Sequence, residues 1–204
     1  MTELVGFKEL TPYKGGWCGN EIYADAFTKT IRQKAKKYTR LFGDQLKKEG
    51  YKGYFELDFL IDQDNNEIYL GELNPRITGA SSITNHAVFA LADMPLFMFH
   101  LLEWMDQPYE LSVNAINARW GKAENIDDWC QLVIKYTEND IKKVTKAPKS
   151  GIWRLRSNGQ IVYDRMDTHR RAIDNENEAF FLRITREGDY LYEGADIGIL
   201  VLRG

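Results

Sequence analysis

Cysteine is nearly absent from this chain: Cys18 and Cys130 are the only two in 204 residues. They lie far apart and lack the paired spacing of a metal knuckle. That excludes a disulfide-built scaffold and reads as two free thiols in a cytoplasmic protein. An excess of either charge is missing too, with 27 Lys+Arg against 30 Asp+Glu and a net charge of −3. This balance speaks against nucleic acid or an anionic membrane surface as the main partner. Long hydrophobic runs are also lacking. The longest, Met94 to Trp104, contains His100 and Glu103 and is too short to span a bilayer. No charged-then-apolar secretion signal opens the sequence. No Ser/His/Asp or Cys/His grouping supports a side-chain nucleophile, and the aromatics do not interleave with basic residues as single-strand nucleic-acid binders require. There is no internal repeat and no low-complexity tract. What is present, 44% hydrophobic and 28% charged residues, describes an ordinary globular protein with room for one large domain or two small ones.

Residues 1–24 read as short and irregular, with Thr11-Pro12 and Gly15-Gly16 as turn signals. Asp25 caps an expected helix through about Lys48, whose apolar positions Phe27, Ile31, Ala35, Tyr38, Phe42 and Leu46 recur at helical spacing. Gly50 is its stop signal, and Arg32, Lys34, Lys36 and Lys37 form its solvated face. Two strands follow, Tyr54 to Ile61 and Glu67 to Asn74, joined by the turn Asp62-Gln63-Asp64-Asn65-Asn66. That turn lacks the glycine and distal glutamate of a calcium loop. From Ile83 to Met105 an apolar segment is expected as two helices divided at Asp93 and Pro95, the second buried inside the fold. His86 reads as a helix-start residue, His100 as a core residue and His169 as a surface one. Beyond a break near 106–112, β-like runs cover 113–120, 129–136, 152–155, 161–165, 180–184 and 197–202, with turns at Ser157-Asn158-Gly159 and Glu187-Gly188-Asp189. The expected class is α+β: an antiparallel-rich sheet backed by helices over 1–106, then a smaller β-rich subdomain over 107–204.

The chemistry concentrates on the hairpin. Alternation places Glu56, Asp58 and Leu60 on one face of its first strand and Leu70, Glu72 and Asn74 on one face of its second. Pairing the strands brings Asp58 toward Glu72 and Asn74, with Arg76 just beyond. Hard oxygen donors of this kind suit Mg²⁺ bound together with substrate phosphates, and a fixed guanidinium suits a carboxylate or phosphate. The bland reading, a solvated sheet face, is weakened by the apolar opposite face and by the run straight into Asn-Pro-Arg and a Gly/Ser loop.

The stretch Gly53-Tyr54-Phe55-Glu56-Leu57-Asp58-Phe59, the hairpin, and Gly71-Glu72-Leu73-Asn74-Pro75-Arg76 together resemble the C-terminal half of ATP-grasp enzymes. Within that superfamily the likeness is to the biotin carboxylase and carbamoyl-phosphate synthetase branch. The preceding Gly50-Tyr51-Lys52-Gly53 fits the same pattern, and Tyr192 to Val201 is similar to a strand in the C-terminal domain of biotin carboxylases. The resemblance implies that Asp58, Glu72 and Asn74 hold Mg²⁺ or Mn²⁺ bridging the phosphates of ATP. It also implies that Arg76 neutralises a carboxylate or acyl-phosphate substrate and that Leu60 packs near the adenine. Lys14, before Gly15-Gly16-Trp17, is the candidate phosphate lysine. Such enzymes activate a carboxylate as an acyl phosphate for attack by an amine.

Two departures qualify what is implied. The loop Gly79-Ala80-Ser81-Ser82 carries no acid where biotin carboxylases have one, so a carboxylate–amine ligase fits better than bicarbonate chemistry on biotin. The N-terminal half of an ATP-grasp domain does not precede these motifs. The expected partner is therefore that half, in the same or a separate chain, without which catalysis is not expected and self-association through an open edge is. The alternatives are a biotin-carboxylase-type half and a non-catalytic protein-interaction module.

Overall fold

The computed structural model describes residues 1–85 and 94–203; His86 lies outside the described residues. The fold is α+β with a mostly antiparallel sheet. Two compact units divide the chain: residues 1–23 with 128–204, and residues 24–127. The expected division at 106 falls inside the second of these, and the short N-terminal segment joins the unit formed by the C-terminal strands.

The first unit is built on seven strands: β1 (Thr2–Val5), β2 (Trp17–Ile22), β5 (Trp129–Lys135), β7 (Gly151–Leu155), β8 (Ile161–Arg165), β9 (Glu178–Arg183) and β11 (Asp196–Arg203). Their order is β1-β2-β5-β11-β9-β7-β8, with every neighbour antiparallel. Strands β6 (Lys142–Lys143) and β10 (Tyr190–Leu191) pair separately. The strands expected from residue 129 onward thus form, with bounds shifted by no more than two residues. Apolar Cys18, Ile22, Trp129, Val133, Ile152, Phe180 and Phe181 are buried. Trp129 is flanked by the guanidinium groups of Arg170 and Arg203, 4.0 and 5.2 Å from the ring centre, a favourable cation–π arrangement. Buried Asn20 accepts from the Trp17 indole at 3.1 Å and the Gln131 amide at 3.4 Å, and donates to the Thr2 carbonyl at 3.4 Å. Its polar atoms are thereby satisfied, as burial demands.

The second unit opens with α1 (Lys29–Lys48). Thr28, not Asp25, is its N-cap: the Thr28 Oγ1 accepts from the Ile31 N–H at 3.3 Å, satisfying one of the first turn's orphan donors. At the other end Gly50 adopts φ +81, and the N–H groups of Gly50 and Tyr51 reach the carbonyls of Lys47 and Leu46, a Schellman closure that favours glycine. Two residues assigned to the solvated face of α1 are engaged instead. Lys34 bonds Glu67 at 2.7 Å and the Asn66 carbonyl at 2.9 Å, and Arg32 donates to the Gly121 carbonyl at 3.1 Å.

The hairpin follows as β3 (Glu56–Asp62) and β4 (Glu67–Asn74), then α2 (Ser81–Asn85), α3 (Leu96–Trp104) and α4 (Val113–Trp120). Two expectations fail here. The run 113–120 is a helix, not a strand: a short apolar run does not reveal its period, and Ala115, Ala118 and Arg119 favour helix. Nor is α3 buried: none of its residues is, and Trp104 is 63% exposed. Uniform hydrophobicity says that a helix wants cover, not that the fold supplies it. Among the described residues no helix is long and apolar enough to cross a membrane.

Candidate functional site: the acidic face of the hairpin

The turn of the hairpin is self-sufficient. Asp62 accepts from the N–H groups of Asp64 and Asn65 at 3.1 and 3.3 Å and from the Asn65 side chain at 2.8 Å. These bonds, the Asn65 side chain foremost, hold the Asp62 carboxyl below its ordinary range. Its carboxylate is thus engaged in the local turn, an Asx device.

At the opposite end the register sets Asp58 across from Glu72 and Glu56 across from Asn74. Directly opposed residues share a face, so all four project the same way. The register then shifts: Asp58 pairs with Glu72, but Phe59 pairs with Leu70, leaving Gly71 as the extra residue of a bulge. The bulge corrects the expected alternation of β4. Leu70 falls opposite Phe59, away from Glu72, and Tyr69 takes its place beside Leu60. Leu60 does lie on the Asp58 side, 67% exposed.

Hydrogen bonds link Asp58, Asn74 and Arg76 into a chain. The buried Asn74 donates from Nδ2 to Asp58 Oδ2 at 3.3 Å, and its Oδ1 accepts from Arg76 Nη2 at 3.1 Å. Arg76 is steadied further by its own N–H to the Asn74 carbonyl at 2.8 Å and by Nη1 to the Ile77 carbonyl at 3.3 Å. Pro75, with φ restricted by its ring, fixes the intervening corner. Desolvation and then the negative charge of Glu72 push the Asp58 carboxyl above its usual range.

Glu56, which the sequence placed on this face without assigning it a role, is part of the same cluster. It is pushed up by desolvation first, opposed by the hydroxyl of Thr78, which donates to Glu56 Oε2 at 2.8 Å. Thr78 in turn donates its N–H to Ser81 Oγ at 3.0 Å. Glu56 thereby ties the Gly/Ser loop to the hairpin. The signal in the sequence was the i, i+2 spacing from Asp58; the missing part was the loop folding back to meet it.

Four of the six expected site residues, Asp58, Glu72, Asn74 and Arg76, therefore converge, and Leu60 is on their face. Lys14 belongs to the other unit, where it is exposed in the turn before β2. His100 is committed to a backbone contact, its Nδ1 accepting from the Tyr54 N–H at 3.0 Å. His169 caps the short 3₁₀ turn Arg170–Ala172 by accepting from the Arg171 N–H at 3.0 Å.

These oxygen donors are of the kind that could hold a hard divalent cation. Of two opposed carboxylates, Asp58 is raised by desolvation first and then by the charge of Glu72, a repulsion that a cation between them would relieve. The Asn74 amide oxygen, with a lone pair beyond the one used by Arg76, adds a neutral oxygen donor. No family model matches the chain, and no curated protein matches it in sequence.

Proposed function

We propose that this chain supplies the metal- and substrate-binding half of an ATP-grasp-type ligase, which activates a carboxylate as an acyl phosphate for attack by an amine. The observation that carries it is the opposed pair Asp58–Glu72 joined through Asn74 to Arg76 on one hairpin face. Asp58, Glu72 and Asn74 would hold Mg²⁺ or Mn²⁺ with the phosphates of ATP, whose charge the metal would neutralise. Arg76, kept in place by Asn74 and the Ile77 carbonyl, presents a cation beside that position for an anionic substrate. Leu60 offers apolar surface on the same face for the base. Catalysis in such a site is positioning and charge neutralisation, with no side-chain nucleophile. In this reading the other wall of the site would come from a partner half, and exclusion of water by both walls would give the charges their strength. Both cysteines are free and buried, which supports a reducing, cytoplasmic setting.

The test is calorimetric titration of Mg-ATP into the wild-type chain and Glu72→Gln. Metal-dependent binding that weakens at least about tenfold in the variant supports the assignment, a loss in line with removing a charged partner. Equal binding by both removes Glu72 from the site, and absence of binding with the partner half supplied overturns the ligase reading.

A further inference from the structure

The second unit contains an open cleft of about 700 Å³ that shares no lining residue with the acidic face. Its walls come from the last turns of α1, the loop 50–55, α3 and Tyr109. A cleft of this size, mostly apolar with a few convergent polar groups, is the usual form of a small-molecule site.

The apolar part consists of Leu46, Phe55, Leu96 and Phe99. Gly53 lets the wall close: at φ +102, a β-carbon there would lie 2.6 Å from His100 Nδ1 and 2.8 Å from Trp104 Nε1. The polar groups differ in how far they are already satisfied. Lys52 is paired with Asp106 at 2.6 Å. His100 accepts at Nδ1 from the Tyr54 N–H, so its ring proton sits on Nε2 as a donor. Glu103 Oε1 accepts from the Tyr109 hydroxyl at 2.5 Å, a bond that pushes the Tyr109 hydroxyl up to about 12. Among the described residues Glu103 Oε2 accepts no hydrogen bond, and none engages the ammonium of Lys47.

The cleft therefore offers an anionic acceptor, Glu103, a cationic donor, Lys47, and a neutral donor, His100, around an apolar and aromatic wall. A simple amine would leave Lys47 without a counter-charge, and a simple acid would leave Glu103 facing only the ammonium of Lys52, which is already paired with Asp106. A molecule carrying both charges and a large apolar group complements all of them. We propose that this cleft is a binding site for a free α-amino acid with a large apolar side chain, its ammonium on Glu103, its carboxylate on Lys47 and its side chain against Phe55 and Phe99. The site stands or falls independently of the metal face.

The experiment is isothermal titration of the intact chain with L-phenylalanine, phenethylamine and 3-phenylpropionate. Wild type binds L-phenylalanine more tightly than either one-charge analogue. Glu103→Gln, which keeps an acceptor for Tyr109, weakens L-phenylalanine and phenethylamine about tenfold, the effect of losing a charged hydrogen-bond partner, and leaves 3-phenylpropionate unchanged. Lys47→Met does the reverse, sparing phenethylamine. Gly43→Leu fills the cleft from α1, since a β-carbon at Gly43 meets nothing closer than the Phe55 ring at 3.4 Å, and abolishes binding with the circular-dichroism spectrum intact. The proposal is overturned if wild type binds none of the three. Survival of L-phenylalanine binding in Gly43→Leu, or equal weakening of all three compounds by Glu103→Gln, overturns it as well.

Discussion

Replacing Glu72 by Gln changes two quantities in opposite directions. Asp58 and Glu72 are direct cross-strand partners, a placement that sets their β-carbons roughly 5 Å apart and makes like charges cost about 0.2–1 kcal/mol. Coulomb's law in water gives about 0.8 kcal/mol at that separation. Glu72 is exposed, so the solvent-screened end of the range applies. Without divalent cation the variant should be more stable than wild type by about 0.5 kcal/mol, a rise of roughly 1–2 °C in Tm for a chain of this size. Cation at ten times its Kd stabilises the binding-competent protein by about 1.4 kcal/mol, roughly 3–5 °C; wild type should gain this and the variant almost none. Scanning calorimetry of both proteins in EDTA and in excess Mg²⁺ measures all four states. Acid acts on the same pair: Asp58 binds its proton more tightly folded than unfolded, so its contribution is favourable at low pH and fades as pH rises through the folded value. A variant less stable than wild type in EDTA would refute the repulsive pair. An equal Mg²⁺-induced shift in both proteins would refute Glu72 as a ligand.

Glu178 behaves in the opposite sense to Asp58. Its buried carboxylate accepts from Arg154 at 2.8 Å and from Arg165 at 3.1 Å, and it is held down to about 2, chiefly by Arg165. The stabilisation is fully present above the ordinary glutamate range near 4.5 and is lost as pH falls toward 2. Urea unfolding across that window should show the loss in wild type and a flatter profile in Glu178→Gln; parallel profiles would remove Glu178 as the cause. Gly43→Ala should stabilise by about 0.8 kcal/mol through helix propensity, because its new β-carbon makes only an ordinary 3.4 Å contact with Phe55; a lower urea midpoint than wild type contradicts this. Thr28→Ala should cost about 1 kcal/mol by removing the α1 cap, whereas Asp25→Ala should be near neutral, and reversal of that order in thermal melts would return the cap to Asp25.

The sequence by itself determined the hairpin and what it presents. A period of two in Glu56-Leu57-Asp58-Phe59-Leu60 and in Glu72-Leu73-Asn74 fixes which side chains share a face. The turn residues Asp62 to Asn66 fix that the strands fold back on each other. The β-branched and aromatic runs from Trp129 to Arg203 likewise announced their strands, and Gly50 announced the end of α1. These are local signals, set within a few residues by backbone sterics and hydrogen bonding.

What only the tertiary structure decided depends on residues distant in the chain. The bulge at Gly71, which moves Tyr69 beside Leu60, is a matter of pairing between strands and leaves no mark in alternation. Glu56 acquired its partner because the loop carrying Thr78 returns to β3. Residues 113–120 became helix because their few apolar positions suit either period and the surroundings chose. The strand β2 entered a sheet with β5 although more than a hundred residues separate them, and a single sequence carries no record of such pairing. The amino-acid composition of α3 and the end of α1 was visible throughout. That their side chains enclose a cleft with the Glu103 carboxylate and the Lys47 ammonium in its lining is a property of how the helices meet.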